Sequence, residues 1–182
     1  ASAVACAAAV PGGALAAGRS EPAPAAPFTL GMASYTLRLF PVDQAIEMTK
    51  RLGLTHICFK DFHLKLDATP DVIAATVARV KAAGLDLYAG GVIYMKTEAE
   101  VDRAFAYAKA AGMKMIVGVP TYELVAYTNG KVQEYDIPVA IHNHGPDNPL
   151  FPTPQSAYER IAGLDRRMGL CMDIGHTQRS GV

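Results

Sequence analysis

The sequence has no excess charge of either sign: Lys plus Arg and Asp plus Glu number 17 each, for a formal net charge of zero. A nucleic-acid-binding surface needs a clustered basic excess, so the balance argues against nucleic acid as a partner. Three cysteines are too few for a disulfide scaffold. Cys6 lies in an N-terminal leader, while Cys58 and Cys171 sit inside apolar runs, where a thiol behaves as a small hydrophobe. No run reaches the roughly 18 uninterrupted apolar residues of a membrane-spanning helix. No glycine-rich loop of the dinucleotide-binding type follows the first strand. What is present is a chain of 182 residues, 51% hydrophobic, long enough for one domain with a real core.

Residues 1–27 differ from the rest. Ala1–Val10 is apolar and alanine-rich, Pro11–Gly13 breaks it, and Ala14–Ala17 offers small residues at cleavage-site spacing. Glu21–Pro27 then has the composition of a flexible linker. The order matches the apolar core and cleavage site of a secretory signal without its basic start, which predicts an exported, periplasmic protein. Ala3–Cys6 also loosely resembles a lipoprotein cleavage box, without the leucine usual at its first position. The competing reading is an Ala/Pro-rich tail with no address, which leaves the protein in the cytoplasm.

From residue 28 onward, strands and helices alternate. Strands are expected at Thr29–Tyr35, Thr55–Phe59, Leu85–Ile93 (interrupted by Gly90 and Gly91), Met113–Val119 (stopped by Pro120), Ile137–Ile141 and Met168–Met172. Thr69 with Pro70, Thr97 with Glu100, and Thr153 with Pro154 are helix starts. Helical spacing turns Ile73, Val77 and Val80 inward in one helix and Val101, Phe105 and Ala108 in the next. Tyr158, Ile161 and Leu164 are expected inward in the last of these. Gly53, Gly84 and Gly112 each separate a helix from the next strand. Units of this size are βαβ elements, which build a parallel sheet with helices outside. Two architectures do so, the closed (β/α)8 TIM barrel and the open doubly wound sheet. Polar residues cluster after strands one, two, five and six, as in a barrel whose site lies at the C-terminal strand ends.

Two stretches concentrate chemistry. Val139–Ile141 ends in His142 and His144, and alternation along a strand puts both imidazoles on one face. The sixth apolar run ends in Asp173, with His176 three residues on. Neighbouring parallel strands bring such ends together. Mixed nitrogen and carboxylate donors suit Zn, Mn, Co or Fe better than Ca. A metal there could polarise a sugar carbonyl and stabilise an enediolate. Lys60, with Asp61 and His63, follows strand two and could hold a carbonyl or carboxylate oxygen; a solvated loop is the competing reading. Tyr35 and Arg38 after strand one, and Tyr94 and Lys96 after strand three, could line the mouth. Glu123 reads as helping to start a helix.

Phe59–His63 (FKDFH), Gly91–Met95 (GVIYM), Ile141–Pro146 (IHNHGP) and Gly169–Thr177 (GLCMDIGHT) resemble the sugar phosphate isomerase/epimerase-like proteins of the xylose isomerase-like TIM-barrel superfamily. The resemblance runs from about Leu30 to the C-terminus and is most specific in the last two motifs. It implies a divalent cation (Mn, Zn, Co or Mg) at the barrel mouth and a small sugar substrate. The ligands it implies are a glutamate on strand five, an aspartate on strand six, a histidine on strand seven and a glutamate on strand eight. Asp173 matches the aspartate, and His142 stands where the glutamate is expected, a departure. His176 resembles the histidine that contacts substrate, and His144 a second polar residue of the pocket.

The resulting expectation is a metal-dependent sugar isomerase or epimerase with metal on His142 and Asp173. His144, His176 and Lys60 are the expected catalytic residues, and Tyr35, Arg38, His63 and Tyr94 line the substrate site. The alternatives are a lyase or hydratase on a keto-sugar or glycoside, and a sugar-binding barrel without turnover. Six strands fall short of eight, so residues 28–182 read as an incomplete barrel with strands seven and eight absent. A fragment, or a chain that completes itself as a homo-oligomer through open edges, would account for that. Such a chain, isolated, is expected to be unstable or to associate, and to bind metal weakly.

Overall fold

The computed structural model describes residues 28–181; the leader and linker read at residues 1–27 lie outside the described residues. Six parallel strands run in the order in which they occur in the chain. They are β1 (Gly31–Ala33), β2 (His56–Phe59), β3 (Asp86–Met95), β4 (Met115–Pro120), β5 (Val139–His142) and β6 (Met168–Cys171). Between and after them come α1 (Val42–Arg51), α2 (Pro70–Ala82), α3 (Glu98–Ala110), α4 (Val125–Tyr135), α5 (Pro154–Ile161) and α6 (Ile174–Arg179).

The strand order decides between the two architectures. A doubly wound sheet reverses direction at a switch point, whereas here every strand pairs with the next in sequence. Right-handed crossovers that never reverse put all helices on one face, and the twisted sheet curls away from them. The result is a curled, incomplete (β/α)8 barrel of six strands, with β1 and β6 at the edges of the described sheet.

Two apolar clusters mark the two faces. On the helix side, Ile57, Phe59, Ile116, Val139 and Ile141 pack against Val80, Val101, Phe105 and Val132 in one continuous core. The concave side carries Cys58, Ala89 and Val117, with Tyr88, Val92, Met115 and Cys171 against them. The register aligns Ala140 with Gly169 and His142 with Cys171, on that same concave side. His142 follows the small Ala140 on that side, at the C-terminal end of β5. Burial pushes the Cys58 thiol up to about 12 and raises that of Cys171, so both act as small hydrophobes.

Local signals explain most boundaries. Thr69 accepts from the Val72 amide, and Thr97 and Thr153 each form a full capping box. Four expectations need correction. The first strand is short, because the chain turns into a 3-10 helix at Ser34–Leu37. β3 runs unbroken through Gly90 and Gly91 to Met95, absorbing the glycines as a register shift between Gly91 and Ile93. Pro120 closes β4 from within, pairing with Met95 at the last rung, where its missing N–H costs least. Tyr158 is 55% exposed, because Ala157 and Ile161 take the buried side of α5.

Gly91 is required by its neighbour strand. A Cβ there would lie 2.6 Å from the Val117 Cβ and closer still to its carbonyl oxygen, and the backbone φ of 151° disfavours any side chain. Gly91→Ala is expected to destabilise the fold by about 2 kcal/mol or more through overpacking and strain. The urea midpoint should fall at constant slope; an unchanged midpoint would contradict the packing described.

Candidate functional site

The C-terminal ends of β5 and β6 bring four titratable groups together. Nε2 of His142 lies 3.5 Å from Oδ2 of Asp173, and Nε2 of His176 lies 3.8 Å from the same oxygen. The ring centroids of His142 and His144 are 4.7 Å apart, those of His142 and His176 5.8 Å, and those of His144 and His176 5.6 Å. Tyr94, at the end of β3, reaches in with its hydroxyl 2.7 Å from Nε2 of His144. Lys60, just past β2, places Nζ 2.5 Å from the Val92 carbonyl oxygen and 3.5 Å from Asp61. Lys60, Asp61, Tyr94, Glu100 and Arg103 line a cavity of about 250 Å³ that none of the four cluster residues lines, and Tyr94 joins the two.

Burial keeps two of the imidazoles, His142 and His144, neutral. Burial is the largest influence on His142 and lowers its pKa, against a smaller opposing pull from Asp173. Burial also lowers His144, and the neighbouring His142 and His176 add to this, taking it down to about 4. For Asp173, burial acts upward, but the His176 amide and the two imidazoles outweigh it, and the carboxyl lies below its usual range. At neutral pH the site thus sets an ionised Asp173 carboxylate beside the neutral rings of His142 and His144. Nδ1 of His142 and Nδ1 of His144 are buried without a hydrogen-bond partner.

Neutral imidazole and ionised carboxylate are the protonation states that bind a metal. Among the described residues, no three His, Cys, Asp or Glu groups close round one point as a complete ligand shell. The His142–Asp173 pair nevertheless has the right span. Two ligand atoms on one tetrahedral ion, each about 2.1 Å from it, stand about 3.4 Å apart, against the 3.5 Å observed.

The remaining expected site residues make contacts of their own. His63 is only 6% exposed, packs between Phe59 and Phe62, and points Nε2 at the Phe40 carbonyl oxygen, 3.1 Å away. It anchors the loop after β2 and is not a mouth residue. Tyr35 and Arg38 contact each other, with the guanidinium 4.7 Å over the ring, and Tyr35 leans on Phe62. Glu123 lies in the 3-10 turn Tyr122–Leu124 that leads into α4, as its helix-starting role requires.

Sequence reasoning passed over Asn143, which is 1% exposed. Its Oδ1 accepts from the Asp173 amide at 2.8 Å, and its Nδ2 donates to Thr177 Oγ1 at 3.2 Å. The signal was available: in a His-Asn-His alternation the middle side chain points away from the other two. Here that direction leads to β6 and α6. Asn143 thereby fixes the separation between the two histidines and Asp173.

No protein-family model matches the chain, and no curated protein matches it at a significant level. Solved structures do match. An uncharacterised protein from Parabacteroides distasonis superposes with a TM-score of 0.72 at 25% identity, over 85% of this chain and 66% of its own. A xylose isomerase domain-containing protein from Salmonella typhimurium gives 0.63 at 14%, over 83% and 62%. A sugar phosphate isomerase/epimerase from Parabacteroides distasonis gives 0.61 at 11%, over 92% and 72%. The chain spans 62% to 66% of the length of the first four such structures.

Two outcomes test the site. Asn143→Ala should cost about 1 kcal/mol by removing the partner of the part-buried Asp173 amide, seen as a lower urea midpoint and faster exchange of that amide. The second concerns pH. The unfolded His144 ring takes up a proton near 6.5, the folded ring only near 4, so the unfolded chain binds more protons in that window. Metal-free protein should keep its full stability above pH 6.5 and lose stability as pH falls toward 4. His144→Gln should flatten that slope; an unaltered slope would show that His144 is not buried neutral. In strand order and helix placement, the chain has the fold of the xylose isomerase-like TIM barrels, the fold of proteins described as sugar phosphate isomerases/epimerases.

Proposed function

We propose that the protein is a sugar isomerase or epimerase that moves a proton on and off the carbon beside a carbonyl, with a divalent cation on His142 and Asp173. The observation that carries this is the gathering of three imidazoles and one carboxylate at adjoining strand ends. Barrels of this fold put their chemistry at that face. The cation, when bound, would polarise the substrate carbonyl and so acidify the neighbouring C–H.

The chain's own residues supply proton transfer and orientation. His144 is neutral near pH 7 and so has a lone pair with which to accept a proton. Its Nε2 hydrogen bond to Tyr94, 42% exposed at the mouth, makes the two groups a short relay between substrate and interior. His176 faces Asp173 from the other side and is placed to return a proton. Lys60, held by the Val92 carbonyl, presents a positive charge to the cavity and orients a sugar oxygen. The proton removed from one carbon returns to it on the opposite face, or to the adjacent carbon, so no external oxidant is consumed.

A substrate without phosphate agrees best with the rest of the chain. The sequence has no glycine-rich phosphate cradle. Its signal-like leader points to an exported protein, away from the phosphorylated intermediates of central metabolism. We therefore assign a free sugar or glycoside.

The test is incubation of the full chain with aldoses, ketoses and their epimers in D2O, with Mn, Zn, Co or Mg added. Deuterium should enter at the carbon beside the carbonyl, and His144→Gln and Tyr94→Phe should slow incorporation by about 100-fold. His142→Ala and Asp173→Asn should abolish cation binding by calorimetry. Sugar binding without deuterium entry in any pair would overturn the reading. So would far faster turnover of a sugar phosphate than of its free sugar, for the substrate.

A further inference from the structure

The last residue of α6 makes a contact that the proton transfer above does not use. Nη2 of Arg179 lies 2.5 Å from Nδ1 of His176, one turn back. Nη1 lies 3.5 Å from Asp147 Oδ2, in the loop after β5. Between these contacts the guanidinium rests on Gly145. A Cβ at that position would stand 2.9 Å from Cζ and closer to Nη2, so a side chain there would push the guanidinium aside. The same loop is tied to α6 again through Ser180, whose hydroxyl donates to the Pro152 carbonyl oxygen at 2.9 Å.

A guanidinium carries donors only and keeps its charge at any working pH. Nδ1 of His176 must therefore accept. A neutral imidazole whose Nδ1 accepts carries its proton on Nε2. Nε2 is the atom that faces Oδ2 of Asp173 inside the cluster. We propose that Arg179 is a positioning residue that selects the Nε2–H tautomer of His176, making that ring a proton donor into the site and not a metal ligand. This rests on the reading that His176 serves proton transfer.

The geometry also explains Gly145. A small residue after the His-Asn-His segment lets the guanidinium that sets the partner histidine occupy the space of a side chain. A helix C-terminus attracts a cation in any case, but a capping cation would leave the histidine free to exchange tautomers. The two roles therefore separate in one measurement.

That measurement is a long-range proton–nitrogen correlation spectrum of the nitrogen-15-labelled full chain, without added cation and at a pH above the imidazole range. The His176 pattern is assigned by its loss in His176→Gln. Parent protein should show the Nε2–H pattern alone. Arg179→Met should convert it to a mixture of tautomers. Gly145→Ala keeps Arg179 but pushes its guanidinium aside, and should do the same. An Nδ1–H or mixed pattern in the parent would overturn the proposal. So would an unchanged His176 pattern in Arg179→Met with α6 amides intact. Should Arg179→Met lose α6 altogether, Gly145→Ala decides, and an unchanged pattern there overturns it. No sugar or turnover enters the spectrum, so this outcome is independent of whether the isomerase reading holds.

Discussion

The Asp173 carboxylate divides its oxygens between structure and chemistry. Oδ1 accepts from the His176 amide at 2.8 Å and caps α6. Oδ2 faces His142 and His176. The backbone of the same residue is held as firmly. Its amide donates to Asn143, and its carbonyl oxygen accepts from Thr177 Oγ1 at 2.7 Å. A side-chain cap is worth about 1 kcal/mol, but here it also sets which oxygen is left over. Because Oδ1 is committed to α6, Oδ2 is the atom presented to the two imidazoles. An amide in place of the carboxylate could still cap the helix, yet it would bring no charge to the cluster.

Around that residue, the barrel supplies space by withholding side chains. Gly169 and Ala140 lie side by side below the His142 and Cys171 rung. Gly91 lets β3 approach β4 where any Cβ would strike Val117. The large residues, Phe59, Phe105 and Ile141 among them, lie on the helix side instead. Burying them supplies the roughly 25 cal/mol per Å² that holds the sheet to its helices. The concave side contributes little to that core. It is therefore free to hold polar groups at its mouth without opening the hydrophobic layer.

The sequence made the architecture legible because each level repeated the same instruction. Capping threonines at 69, 97 and 153, glycines at 53, 84 and 112, and apolar runs between them all marked βα units. The meeting of His142, His144, Asp173 and His176 followed from strand periodicity plus parallel neighbours. His63 misled because a polar residue after a strand usually faces the mouth; its ring is instead caught between Phe59 and Phe62, a tertiary packing that no local pattern encodes. Tyr158 misled because helical spacing fitted two faces of α5, and the smaller Ala157 won the buried one. Arg179 was out of reach, since its partners Gly145 and Asp147 are more than thirty residues away and meet it only in the folded chain.

The donor set has a chemical consequence. The resemblance implies glutamate where His142 stands, and replacing a carboxylate by a neutral ring removes one negative charge from the cluster. Magnesium prefers oxygen ligands and several retained waters, whereas zinc, cobalt and manganese accept imidazole readily. Burial keeps His142 neutral in spite of the adjoining carboxylate, so its nitrogen lone pair is not taken by a proton near pH 7. If His176 is set as the Nε2–H donor by Arg179, it is withdrawn from coordination, and His142 is the imidazole that remains to share an ion with Asp173. A cation tolerant of nitrogen would then sit on one ring and one carboxylate. The other two histidines, one backed by Tyr94 and one by Arg179, would be left to handle protons.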